Sequence, residues 1–125
     1  MSAVRDATSG ATLAEHLEVA RSHWARFRGL MLRRSLPAGA GLQLEPCTSI
    51  HMMWMRFPID AVFYDREGRV TRVGRGVRPW IGVAFGGRGA RGVLELPAGA
   101  AAATEAGHQL EFASRGVAST SSRSP

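Results

Sequence analysis

The chain has 125 residues, a length that fits one domain able to bury a core without disulfides or a structural metal. Its net charge is +6 and every one of its sixteen basic residues is arginine. The single Cys47 excludes an internal disulfide, and no apolar run reaches the roughly 18 residues that cross a bilayer. The first ten residues lack the apolar segment of a signal peptide, so a cytoplasmic location is expected.

Met1 to Gly10 is small and polar and is expected to be disordered, as is the Ser-rich tail from Ser114 to Pro125. One globular domain is expected between them, over residues 11–113. The stretch Thr12–Met31 supports two readings. Leu13, Leu17, Ala20, Trp24, Phe27 and Met31 follow helical spacing, and Thr12-Leu13-Ala14-Glu15 has the form of a capping box, which together predict one long helix. Alternatively, Leu17 and Val19 belong to a short strand, Ser22 caps a new helix and Gly29 lies near its end.

Beyond Ser35 the signals are those of strands. Pro37 to Gly41 reads as a loop, and Leu42 to Glu45 as a strand closed by Pro46. Ile59–Tyr64, the turn Asp65-Arg66-Glu67-Gly68 and Arg69–Val77 form the clearest hairpin in the chain, ended by Pro79. The glycine-rich residues Gly82 to Gly92 read as a surface loop. Val93–Leu96 is a strand, Ala100–Ala106 a short helix at most, and His108–Phe112 the last strand. Many short strands separated by turns predict a mainly β fold, a small barrel or sandwich.

Four groups of residues carry possible chemistry. Cys47 and His51 share a strand face and could bind zinc with Asp60 and His108, but they lack the paired short spacing of such sites. A buried thiol and a hydrogen-bonded imidazole account for them more simply. The same Cys47, His51 and Asp60 could form a nucleophile, base and orienting acid, in a small hydrolase or metal-dependent enzyme. Gly87-Arg88-Gly89-Ala90-Arg91-Gly92 matches a dinucleotide fingerprint in letters only, because a short strand and Pro97 follow where a helix is required. Its Arg88 and Arg91, with Arg75 and Arg78, could instead form a basic rim for nucleic acid. That reading is weak, because the arginines are scattered and lysine is absent, as in a GC-rich coding sequence.

The last group is apolar. Trp54, Met55, Phe57, Trp80 and Phe85 are too many large groups for one buried strand face, so some should line a cleft. A ligand site is therefore expected from Trp54, Met55, Arg56, Asp60, Trp80 and Glu95. Aromatic and thioether groups would supply contact area there, and charged groups would fix orientation.

Arg28-Gly29-Leu30-Met31 with Arg33 or Arg34, Trp54-Met55-Arg56 followed by Pro58-Ile59-Asp60, Asp65 to Val70, and Val93-Leu94-Glu95-Leu96-Pro97-Ala98-Gly99 occur in an order and spacing that resemble the domain of unknown function 192 family, from about Leu17 to Phe112. Cys47 to His51, Arg56-Phe57-Pro58 and Pro79-Trp80 are similar to one branch of it. The resemblance implies a compact β fold with one or two short helices, and it favours strand followed by helix over Thr12–Met31. It implies no activity. Where members usually carry Gly-Asp before the last strand, this chain has Gly107-His108. The reading that results is a non-catalytic binding or accessory domain for a small molecule or protein partner. No metal, no cofactor and no membrane span are expected.

Overall fold

The computed structural model describes residues 2–20, 35–52 and 55–114. It contains nine strands: β1 (Ser2–Asp6), β2 (Thr12–Ala20), β3 (Ala40–Leu44), β4 (Ser49–His51), β5 (Ile59–Tyr64), β6 (Val70–Val77), β7 (Val83–Phe85), β8 (Gly92–Pro97) and β9 (Leu110–Ser114). Seven form one sheet in the order β6-β5-β8-β3-β2-β1-β9, and β4 pairs with β7 in a separate ribbon. The large sheet curls into a half-barrel. Its first and last strands meet at one end, where Arg69 bridges Gln109. Val70 N donates to His108 O at 2.8 Å and Leu110 N to Gly68 O at 2.9 Å, completing that closure.

Strand alternation divides the core in two. On β5, Val62 and Tyr64 point into the half-barrel and meet Val4, Leu13, Leu17, Leu94, Leu96 and Leu110. Ile59, Ala61 and Phe63 point outward and meet Leu42, Leu44, Ile50, Met52, Met55 and Val93. Both faces of β5 are covered, so all six of its residues are buried. The β4–β7 ribbon supplies part of the outer cover. Ile50 of β4 is buried against the outer core and Ala84 of β7 packs against it.

Three expectations are corrected. Among the described residues there is no helix. Of the two readings of Thr12–Met31, the single long helix fails and the strand around Leu17 and Val19 is present, extended to nine residues over Thr12–Ala20, because pairing with β1 on one side and β3 on the other outweighs the helical spacing. Ala100–Ala106 is a run of turns, with Ala100 N donating to Pro97 O, Ala102 N to Gly99 O and Thr104 N to Ala101 O. The Arg28–Met31 element and the expected Ser22 cap lie outside the described residues. Third, Ser2–Asp6 is an ordered strand inside the sheet, between β2 and β9, rather than a disordered end. Its alternation of buried Val4 and Asp6 with exposed Arg5 is the pattern that its polar composition concealed.

Candidate functional site

The structure separates most of the expected ligand site. Asp60 stands opposite Leu96, on the inner face, and is 1% exposed. Its Oδ1 accepts from Gly76 N at 2.9 Å, and its Oδ2 from Gly99 N at 3.0 Å and Ala101 N at 2.9 Å. This carboxylate fastens the end of β6 to the turn after β8. Glu95 lies one residue from Leu96, in register with Ala61 and Leu42, and so faces the outer core. Asp60 and Glu95 therefore occupy opposite faces of one sheet. Met55 is buried in the outer core, Arg56 is exposed, and Trp54 lies outside the described residues.

Cys47 precedes β4 and His51 ends it. Cys47 Sγ lies 3.1 Å from Ser49 O and packs on the outer core, whereas the His51 side chain is exposed. With Asp60 committed on the inner face, these three side chains do not converge. Among the described residues no cluster of three His, Cys, Asp or Glu groups has a metal-binding arrangement. His108 belongs to another network. Its Nδ1 lies 2.7 Å from Oδ2 of Asp6, which also accepts from Thr104 Oγ1 at 2.9 Å. Burial alone pushes the Asp6 carboxyl up. Bonds from His108, Ser9 and Thr104 outweigh that and hold it at about 2.

A polar network crosses the sheet near the β8 end of Tyr64. The Tyr64 hydroxyl donates to Glu45 Oε1 at 2.7 Å and accepts from Gln43 Nε2 at 2.7 Å, and Arg91 Nε donates to Glu45 Oε2 at 3.1 Å. Burial, aided by the Glu45 carboxylate, pushes the phenol well above its ordinary range. The Tyr64 hydroxyl is therefore a fixed donor rather than a titrating acid.

Trp80 occupies a different setting. The segment 78–82 is a tight loop, with Gly82 N donating to Arg78 O at 3.0 Å and Ile81 N to Pro79 O at 2.8 Å. Two further bonds pin it to the outer-core segment, Trp80 N to Met52 O at 2.8 Å and Met52 N to Gly82 O at 2.9 Å. A Cβ on Gly82 would stand 2.6 Å from Arg78 O, so the loop requires glycine there. The same constraint holds Trp80 at φ 70°, the one non-glycine residue with positive φ among the described residues. An exposed tryptophan held in this costly conformation is a mark of sites where surroundings dictate backbone geometry.

The loop opens onto a groove of about 420 Å³ between β6 and β7. Arg72, Arg75 and Arg78 line one side, and Ile81, Val83 and Phe85 the other. Trp80 (51%), Ile81 (74%), Val83 (58%) and Phe85 (60%) are the most exposed large apolar residues among those described. Arg75 donates to the Thr104 carbonyl, whereas Arg72 and Arg78 form no ion pair among the described residues. The groove lining contains no acidic side chain. Sequence reasoning placed Trp80 in a site and Arg75 and Arg78 on a basic rim, but it missed Arg72, Ile81 and Val83. The signal was the apolar Val83-Ala84-Phe85 run inside a glycine-rich stretch, which alternates like a strand.

The family model described as DUF192, Uncharacterized ACR, matches residues 4–112. The chain belongs to the DUF192 family. The fold agrees with two crystal structures that are each 24% identical to the chain. One, a protein of unknown function from Novosphingobium aromaticivorans, has a TM-score of 0.76 and aligns over 88% of this chain and 82% of its own. The other, described as a putative transcription regulator from Sinorhizobium meliloti, has a TM-score of 0.73 and aligns over 89% of this chain and 91% of its own. No curated protein matches the chain. These DUF192 relationships carry the fold; the family has no assigned activity. Among the described residues, no helix is long and apolar enough to cross a membrane.

Proposed function

We propose that this DUF192 protein is a binding domain whose recognition surface is the groove between β6 and β7. The observation that carries this reading is the grouping of Ile81, Val83 and Phe85, all more than half exposed, against a row of arginines, with exposed Trp80 on the adjoining 78–82 loop. Monomeric domains scatter single apolar side chains over their surfaces, whereas a contiguous patch with a polar rim is typical of binding sites. Trp80 keeps the role that its sequence suggested, now with Ile81, Val83, Phe85, Arg72 and Arg78 as companions. Asp60 and Glu95 support the scaffold beneath, and Arg56 stands apart on the surface. The lone Cys47 suits a reducing, cytoplasmic setting.

The chemistry of the groove selects ligands with an apolar body and an anionic group. Arginine supports this selection through its planar fork, which pairs with carboxylate in two places. The test is NMR titration of the isotopically labelled protein with simple aryl and alkyl carboxylates. Amide shifts confined to Arg72–Arg78 and Trp80–Phe85 support the groove. Shifts centred on the Glu45–Tyr64–Arg91 network, or no shifts at millimolar probe, overturn it.

A further inference from the structure

The hydrogen-bond pattern of β7 identifies a class of partner for this groove. In an antiparallel ribbon, alternate residues direct both backbone polar groups to the neighbouring strand, and the residues between direct theirs away. Gly86 N donates to Thr48 O at 2.8 Å and Met52 N donates to Gly82 O at 2.9 Å. Residues 82, 84 and 86 therefore face β4, with Ala84 opposite Ile50. The N–H and C=O groups of Val83 and Phe85 point to the other edge, which carries no strand among the described residues. Their side chains stand on the exposed face while Ala84 packs inward. An open strand edge flanked by apolar side chains is a template for an added strand.

Charge decides what could be added. Arg72 and Arg78 line the groove beside that edge, without a counter-charge in the lining. Arg72 is held in place there, its guanidinium lying against the Gly87 backbone, where an added Cβ would meet it at 3.4 Å. The chain's own segments outside the described residues do not complement it. Residues 21–34 carry Arg21, Arg26, Arg28, Arg33 and Arg34, residues 115–125 carry Arg115 and Arg123, and neither segment has an acidic residue. A second copy pairing β7 to β7 would set arginine against arginine, in a protein whose net charge is already +6.

We propose that β7 receives an extended acidic segment of a partner protein, which adds a strand along the Val83–Phe85 edge, lays alternate apolar side chains on Ile81, Val83 and Phe85, and pairs its carboxylates with Arg72 and Arg78. This rests on the groove being the recognition surface, and it names the occupant. A peptide fits better than a nucleic acid strand because the edge offers main-chain donors and acceptors at strand spacing and an aliphatic surface, which bases and sugars do not use.

The experiment compares three labelled probes by fluorescence anisotropy at about 0.15 M salt, where exposed charges are screened beyond roughly 8 Å. They are a nine-residue peptide alternating Glu or Asp with Val or Phe, the same peptide N-methylated at alternate amides, and a single-stranded oligonucleotide. The methylated peptide keeps its side chains and charge but cannot form the ladder. The expected result is saturable binding of the acidic peptide, weakened about tenfold or more by N-methylation, which removes the main-chain bonds. R72E/R78E should weaken it similarly without changing the melting temperature, because both side chains lie on the surface. Equal binding of both peptides, with groove shifts still seen for simple carboxylates, leaves the groove and overturns strand addition. Tighter binding of the oligonucleotide overturns the peptide assignment. If neither the peptides nor the carboxylates perturb the groove, both readings fall.

Discussion

His108 and Asp6, 102 positions apart in the chain, meet side chain to side chain at 2.7 Å where the half-barrel closes. Asp6 is fully buried at the end of β1, and His108 lies two residues before β9, so the pair ties the first strand to the last. The Asp6 carboxyl is held at about 2, below its ordinary value near 3.9, so it stabilises the fold in its charged form. That contribution is full above about pH 5 and is lost as pH falls through about 4 to 2; its size is on the order of 2 kcal/mol. His108→Ala removes the strongest of the bonds that lower this value and should move the acid-unfolding midpoint, followed by circular dichroism, to higher pH. His108→Asp would set two carboxylates together. It should cost more than alanine at neutral pH, and the difference between the two variants should vanish in acid, where a carboxyl of the pair is protonated. Identical pH profiles for both variants and the parent would dissociate the pair from stability.

Asp60 tests a structural carboxylate against a ligand-binding one. Three backbone amides converge on it in a buried site, and charge-assisted bonds of this kind contribute about 1.5–3 kcal/mol each. Asp60→Ala should lower stability by about 3 kcal/mol in urea melts, because it leaves three backbone donors without their acceptor, Ala101 N fully buried and the other two partly so. Asp60→Asn has nearly the same shape and can keep its oxygen on Gly99 N and Ala101 N, but its NH2 then faces Gly76 N, so it should fall between alanine and the parent. A variant that melts normally would return Asp60 to the list of ligand-binding groups.

Trp80 permits a comparison that most positions do not. At an ordinary strand or loop position, glycine is less stable than alanine because its unfolded chain has more freedom to lose. At φ 70° the order reverses, since alanine carries a left-handed penalty of about 1–2 kcal/mol that glycine escapes. Trp80→Gly should therefore melt above Trp80→Ala by several degrees. The usual order would mean that the 78–82 loop relaxes once the indole is gone.

The Tyr64 hydroxyl is sandwiched between Gln43 and Glu45, and its ring is 3% exposed. Tyr64→Phe leaves both partners without this bond and should cost about 1–3 kcal/mol, most of it the penalty on the partly buried Glu45. Tyr64→Phe combined with Glu45→Gln should be less destabilised than the sum of the two single changes, because the bond is lost only once. Additive effects would show that the hydroxyl and the carboxylate are energetically independent.

Much of the fold was legible in the sequence because its strands alternate or run continuously apolar. Ile59–Tyr64 was read with its observed boundaries, and its hairpin with Val70–Val77 followed from the Asp65–Gly68 turn. The Thr12–Ala20 strand was only one of two readings, because Leu13 and Leu17 satisfy helical spacing and also lie on one strand face, and its full length was not legible. Ser2–Asp6 was hidden because its inward position is filled by an aspartate, and nothing local announces that a histidine 102 residues away will meet it. The site was legible only in part. Residue type marked Trp80, Asp60 and Glu95 as unusual, but the face of the sheet each one occupies depends on register. A one-residue step between Leu96 and Glu95 separates the two carboxylates by the thickness of the sheet. The open edge of β7 could not be read from side chains at all, because it is a property of backbone direction.

The position of β1 in the sheet has a consequence for biosynthesis. A strand formed by residues 2–6 pairs with one formed by residues 110–114, so the sheet cannot be completed until nearly the whole described chain has emerged from the ribosome. Until then β1 waits with an unsatisfied flank, and such long-range pairing is intrinsically slow. Removing the first six residues would do more than shorten an end. It would excise an internal strand and leave two facing edges, β2 and β9, open to other chains. A protein lacking these residues should accordingly be recovered as aggregate under conditions where the intact one stays in solution.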